Sequence, residues 1–140
     1  MTACYADASA VLRYLLGQPG MLDLEQAADT VIASVLLEVE CNRVLDRFRL
    51  SGTMTVSAVA QQRASLARLR ERIVILDLDR RTLIRAASPL AAPLGTLDAI
   101  HLATALFWLE DNQPPLCFAT HDRALARAAQ LYGLEVLGLS

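Results

Sequence analysis

The sequence predicts an α/β domain built on a mainly parallel sheet. Short β-rich runs alternate with longer stretches of helical periodicity, and turn residues punctuate the boundaries between them. The chain has 140 residues, 54% of them hydrophobic, which is enough for one packed core without disulfide or metal staples. A single domain over residues 1–140 is expected, since no repeat, linker or low-complexity tract divides the chain.

Taken in order, Thr2–Ala6 reads as the first strand. Ala8–Leu16 carries Val11, Leu12, Leu15 and Leu16 at helical spacing, and Gly17 with Pro19-Gly20 stops it. Thr30–Ser34 is the second strand, followed by a helix over Val35–Leu50 that ends at Ser51-Gly52. Val56–Arg72 reads as an amphipathic helix, with Leu66, Leu69 and Ile73 on one side and arginines on the other. Ile73–Leu78 is the third strand, and Arg80–Ala87 a short helix closed by Ser88-Pro89 and the loop Ala92-Pro93-Leu94-Gly95. Thr96–Glu110 is a long, strongly apolar helix ended by Asp111-Asn112 and Pro114-Pro115. Leu116–Thr120 is the fourth strand, Arg123–Tyr132 the last helix with Gly133 in the C′ position, and Glu135–Leu139 the last strand.

Cys4, Cys41 and Cys117 are far apart, include no Cys-x-x-Cys pair and are odd in number. That pattern suits neither a disulfide framework nor a structural zinc site, so reduced thiols are expected. The opening residues lack the basic start and apolar run of a signal peptide, and no apolar stretch reaches membrane-spanning length. A soluble, cytoplasmic protein without membrane contact is the expectation. The formal net charge of −2 argues at first against a nucleic-acid partner. Setting four carboxylates aside as metal ligands leaves the remainder net positive, and bound divalent cations would themselves attract phosphate. All 13 basic residues are arginine, a good residue for forked contact with phosphate, although genome composition could equally explain the absence of lysine.

Four acids stand where strands hand over to helices or in early helical turns. Asp7 follows the first strand, Asp122 the fourth; Asp98 lies in the first turn of the apolar helix, and Glu40 inside the helix after the second strand. In open parallel sheets these carboxyl-side junctions form the ligand crevice, so residues distant in sequence meet there. Capping is the competing explanation: Asp7 and Asp122 could cap the helices they precede, and Asp98 could be an N2 or N3 acid behind a Thr96 cap. Capping does not explain Glu40, which lies beyond the first turn if Ser34 is the N-cap and sits in a mostly apolar segment. A carboxylate there needs a partner, and a cation is the natural one. Glu38 is about 200° from Glu40 around a helix, so only one of them can face the crevice. Arg43 and Arg47 lie on the side of Glu40, which favours Glu40 for the site and leaves Glu38 as a surface acid.

These residues match a known family over nearly the whole chain. Tyr5-Ala6-Asp7-Ala8-Ser9 resembles the "DxS" opening of PIN domains, especially VapC-type ribonuclease toxins of type II toxin–antitoxin systems. Ser34 through Arg43 resembles their second acidic motif, with serine six residues before the glutamate and arginine three after it, a register that again selects Glu40. Leu97-Asp98-Ala99-Ile100-His101-Leu102-Ala103-Thr104-Ala105-Leu106 is close to "LDAxHLATAL", the most specific of the motifs. Thr120-His121-Asp122-Arg123-Ala124-Leu125 with Gly133-Leu134-Glu135-Val136-Leu137 resembles the family's ending.

The resemblance implies a PIN-like three-layer α/β/α sandwich with a five-stranded parallel sheet, and a site for Mg²⁺ or Mn²⁺. It also implies endoribonuclease action on tRNA, rRNA or mRNA, silencing by a cognate VapB-like antitoxin, and a homodimer. Asp7 and Asp98 would be the first ligands, with Glu40 and Asp122 holding metal directly or through water; hard cations of this kind prefer such all-oxygen sites. Water activated by the metal would attack the phosphodiester and leave 5′-phosphate and 3′-hydroxyl ends. Ser9 and Thr120 either support a carboxylate or are ordinary hydroxyls at a helix start and a strand end. His101 reads as a packing and hydrogen-bonding residue, and His121 has a weaker case for chemistry. Arg13, Arg43, Arg47 and Arg123 are candidates for RNA phosphates, against the default of solvated helix faces. Thr53–Arg72 and the groove beside it could take an antitoxin helix or could simply pack in the core or a dimer interface.

Two rivals remain. Aspartyl-phosphate phosphatases and receiver domains also place Asp after the first strand, but they normally use a lysine, and this chain has none. The other is a catalytically inactive PIN-like RNA- or antitoxin-binding module, which the retention of all four acids disfavours.

Overall fold

The computed structural model describes residues 2–113 and 115–139; Pro114, read above as part of a helix stop, lies outside them. Five strands, β1 (Ala3–Ala6), β2 (Thr30–Ser34), β3 (Val74–Leu76), β4 (Leu116–Ala119) and β5 (Glu135–Leu137), form one sheet in the order β3-β2-β1-β4-β5. Every pairing is parallel. The helices are α1 (Ala8–Leu15), α2 (Leu24–Ala27), α3 (Leu36–Leu50), α4 (Val56–Arg70), α5 (Arg80–Ala87), α6 (Thr96–Asn112) and α7 (Arg123–Leu131).

Side chains alternate across the pleat, so each strand feeds two cores. Cys4, Ala6 and Ala119 face one layer, where α1, α3 and α4 contribute Val11, Leu37, Cys41, Leu66 and Leu69. Ala3, Tyr5, Leu116 and Phe118 face the other, against Leu102, Ala105 and Leu106 of α6 and Leu125, Ala128 and Ala129 of α7. Helix α5 packs on α6 at the outer edge of this layer, with Arg81 stacked 3.8 Å from the Phe107 ring centroid. The result is the three-layer α/β/α sandwich, its central strand β1 buried along its whole length. All three cysteines are unpaired; burial pushes the thiols of Cys4 and Cys41 up to about 12, so both stay neutral and apolar in character.

The elements differ from expectation mainly at their ends. Strand β3 is shorter than Ile73–Leu78, because it is an edge strand whose only partner, β2, offers Ile32, Ala33 and Ser34. Helix α4 stops at Arg70, and the Ile73 N–H turns back to the Arg70 carbonyl. Helix α2 has no counterpart among the expected elements: a single turn, capped by Asp23 on the Glu25 N–H, it lacks the length over which periodicity is legible. Gly95 rather than Thr96 is the N-cap of α6, which puts Asp98 at N3. Helix α3 opens at Leu36 with Val35 in the cap position, while the Ser34 hydroxyl accepts the Leu36 N–H at 3.1 Å. Strand β4 ends at Ala119, which leaves Thr120 on the rim. There Gly138, at φ 105°, lets the end of β5 pass so close that a Cβ would lie 2.5 Å from the Thr120 carbonyl oxygen.

Candidate active site

From β1 the chain first builds β2 and β3 on one side, then returns to add β4 and β5 on the other. The crevice therefore opens at the carboxyl ends of β1 and β4, where the strand order reverses. Asp7 leaves β1 there, Asp122 follows β4, the N-terminus of α6 brings Asp98, and the second turn of α3 brings Glu40.

Asp7 is 4% exposed, and three donors hold its carboxylate. The Ser9 hydroxyl and the Ala10 N–H donate to Oδ1 at 2.7 and 3.0 Å, and the Thr120 hydroxyl donates to Oδ2 at 2.6 Å. Each hydroxyl is itself an acceptor: Ser9 Oγ takes the His121 N–H at 2.9 Å, and Thr120 Oγ1 takes the Asp122 N–H at 3.0 Å. With their hydrogens committed to Asp7, the two hydroxyls only touch at 3.4 Å. Asp7 thus caps α1 and is oriented from the β4–α7 turn at the same time. Capping and site placement are not exclusive.

Glu40 has a different support. Its Oε1 lies 2.6 Å from His101 Nε2, and His101 Nδ1 lies 2.7 Å from the Tyr5 hydroxyl. A carboxylate can only accept, so Nε2 carries a hydrogen; in the neutral ring Nδ1 is then the acceptor and Tyr5 the donor. Tyr5 and His101 are buried, and burial, followed by the charges of Asp7 and Glu40, pushes the Tyr5 hydroxyl well above the ordinary range. Glu38 points elsewhere, in an ion pair with Arg70 at 3.2 Å. That is the separation the helical geometry requires.

Asp98 and Asp122 are more open. Asp122 caps α7 through Oδ1, which accepts the Leu125 N–H at 3.0 Å. Burial raises the Asp98 carboxyl above its ordinary value; Asp122, Asp7 and Glu40 add to the rise and His101 opposes it. All four acids are therefore within electrostatic reach of one point. Their donors are all oxygen, the set that a hard divalent cation takes. Among the described residues no three His, Cys, Asp or Glu side chains are gathered tightly enough to hold a metal by themselves. The set fits an ion that keeps water or phosphate oxygens in its shell, as Mg²⁺ does, and does not fit an all-protein cage.

Of the arginines, Arg43 and Arg47 line a groove between α1 and α3 that includes Ser9 and Glu40, with Arg43 also 3.4 Å from Asp46. Arg13 and Arg123 lie on another side, around His121. The apolar side of α4 is spent in the core through Val59, Leu66 and Leu69, while Arg63, Arg68 and Arg70 are exposed.

The model of the PIN domain family matches residues 4–131. The chain belongs to the PIN-domain family. This PIN domain is 33% identical over 144 residues to ribonuclease VapC46 of Mycobacterium tuberculosis (strain ATCC 25618 / H37Rv), with both chains covered in full, and so stands among the VapC-type PIN domains. Its fold is also that of VapBC2 from Rickettsia felis, solved bound to a DNA fragment from their promoter; the TM-score is 0.65 at 13% identity, covering 96% of this chain and 97% of that one. VapBC-1 from nontypeable Haemophilus influenzae gives 0.62 at 15% identity over 98% and 97%. The sarcin-ricin loop cleaving toxin VapC20 of Mycobacterium tuberculosis gives 0.57 at 14% identity over 89% and 94%.

Within this PIN domain, Tyr5 is the one supporting residue that sequence reasoning passed over. It reads as an ordinary strand aromatic, and its partner on α6 is 96 residues away. The signal that could have found it is a tyrosine two positions before Asp7, facing the layer opposite to Cys4 and Ala6.

Proposed function

We propose that the chain is a Mg²⁺- or Mn²⁺-dependent endoribonuclease that acts as a toxin and is restrained by a VapB-like antitoxin. The observation that carries this reading is the convergence of four carboxylates at the switch point, close enough for three of them to raise the fourth. Folding alone does not reward such a grouping of like charges, whereas a site does. Asp7 and Asp98 would hold the ion directly, and Glu40 and Asp122 directly or through water. Once bound, the ion supplies acidity to the attacking water and neutralises charge on the scissile phosphate. Ser9 and Thr120 keep both Asp7 oxygens in one orientation, and His101 does the same for Glu40. Water would attack the phosphorus while the bond to the ribose O3′ breaks and the 2′-hydroxyl takes no part, so the products would carry 5′-phosphate and 3′-hydroxyl ends.

The apolar groove between α1 and α3, lined by Leu12, Leu36, Val39, Val44 and Leu50 with Arg47 and the Arg43–Asp46 pair beside them, suits the apolar face of an amphipathic antitoxin segment. The exposed Leu83 and Ile84 of α5 support a homodimer in the same reading.

The test is cleavage of RNA by the purified protein with Mg²⁺ or Mn²⁺, with the fragment ends sequenced. Asp7→Asn and Asp98→Asn should each lower the rate at least 100-fold, while circular dichroism stays that of the parent. Cleavage retained in both folded variants, or undiminished in EDTA, would defeat the proposal.

A further inference from the structure

Beside the acidic site lies a second concavity of about 560 Å³, lined by Arg13, His121, Arg123, Arg127 and Gln130 over Gly138. Among the described residues no carboxylate lines it. Six arginines elsewhere in the chain are ion-paired, yet among the described residues none of these three has a carboxylate within salt-bridge distance. Three guanidinium groups are thus drawn around one cavity from α1 and α7, helices that lie on opposite faces of the sheet. An anion seated between them would relieve their mutual repulsion.

The histidine at the centre fixes which hydrogens are free. His121 Nδ1 lies 2.7 Å from the Gly138 carbonyl oxygen, an approach that requires the ring hydrogen on Nδ1. Arg13 Nη1, 3.2 Å from the same Nδ1, then finds no lone pair there and keeps its hydrogens for another acceptor. His121 Nε2 is buried and has no partner among the described residues. The pocket and the acidic site share a wall, because the His121 N–H bonds Ser9, Ser9 bonds Asp7, and Asp122 is the next residue.

We infer that this pocket is a phosphate subsite, which grips the RNA backbone at a phosphate flanking the one cleaved at the acids. The inference rests on the ribonuclease reading for the identity of the chain that enters. Among the described residues no Phe, Tyr or Trp lines the cavity, so it is built for backbone phosphate rather than for stacked bases and grips any sequence alike. It also offers a protein of net charge −2 a local positive site for a polyanion, since three arginines without an ion pair among the described residues stand around one cavity.

The test is the affinity of a substrate RNA oligonucleotide, read by fluorescence anisotropy without divalent metal across a NaCl series. The proteins are the parent, Arg127→Gln, the double variant Arg13→Gln/Arg127→Gln, and Arg68→Ala on α4 as a control for charge removed elsewhere. The subsite predicts at least tenfold weaker binding in the double variant at low salt. It also predicts a log–log salt slope shallower by about 0.7 for each phosphate no longer neutralised, with KM for cleavage raised in parallel and the control unchanged. Arg127→Gln alone changes an exposed helix position, so a misfolded double variant would still leave a readable single. Unchanged affinity and slope in folded variants overturn the inference, as does a parent that binds no RNA. Weaker binding confined to a polyglutamate peptide, with RNA affinity intact, overturns it in favour of an acidic protein segment. A parent that binds RNA with the arginine-dependent slope but cuts nothing keeps the subsite and defeats the nuclease reading. Normal cleavage with unaffected variants defeats only the subsite.

Discussion

Each of two carboxylates in this crevice is held by at least one group that lies far away in the sequence. Asp7 takes two hydroxyls and a backbone N–H, and Glu40 takes a histidine whose other ring nitrogen is held by a tyrosine on the central strand. The Tyr5 hydroxyl is the weak point of the second arrangement, since its removal leaves a buried ring nitrogen without a donor. Tyr5→Phe should cost about 1–3 kcal/mol in chemical denaturation, and should lower cleavage because Glu40 loses its fixed orientation. His101→Leu should cost more and weaken metal affinity, read by Mn²⁺ titration as well as by rate. Equal stability and equal metal affinity in both variants would mean that the chain of bonds does nothing for Glu40. Glu40 itself is legible in the sequence, since its register follows both from the helix and from the spacing of Ser34 and Arg43. His101 is legible as a packing residue, but its bonds reach 61 and 96 residues away and are not.

Helix caps are where local structure and chemistry overlap. Asp7, Asp23, Asp79 and Asp122 each cap a helix, so an aspartate before a helix is by itself no evidence of a site here. Asp122 allows the two duties to be separated, because asparagine caps about as well as aspartate but carries no charge. Asp122→Asn should keep the parent's stability and lose activity, while Asp122→Ala should lose activity and about 1 kcal/mol as well. An Asn variant with full activity would reduce Asp122 to a cap. The long elements are readable because periodicity needs length: α3, α4 and α6 fall within a few residues of their expected ends. The one-turn α2 and the true extent of edge strand β3 are not readable, since a single turn has no period and an edge strand is bounded by its partner.

At the scale of the whole molecule, the sheet order forces like charges together and the fold carries the cost. Burial, with the neighbouring acids, raises Asp98, so the folded state binds its proton more tightly than the unfolded chain. Its charge therefore lowers stability above the ordinary carboxylate range, and this penalty vanishes at lower pH, where both states are protonated. Asp98→Asn should raise the Tm of the metal-free protein at neutral pH by a few degrees, with the gain disappearing in acid. Mg²⁺ or Mn²⁺ should raise the Tm of the parent, EDTA should reverse the rise, and the variant should respond less. A parent insensitive to both ions, or a variant no more stable than the parent, would contradict the acidic site as drawn. By itself the sequence determined the alternation of strands and helices and the family, and it singled out the four acids as candidates, because these depend on periodicity and spacing along the chain. Only the tertiary structure decided that Ser9 and Thr120 converge on Asp7, that Tyr5 and His101 stand behind Glu40, and that Arg13, Arg123 and Arg127 surround one cavity. Each grouping brings in a residue that only the strand order β3-β2-β1-β4-β5 makes a neighbour, and no distance along the chain encodes that order.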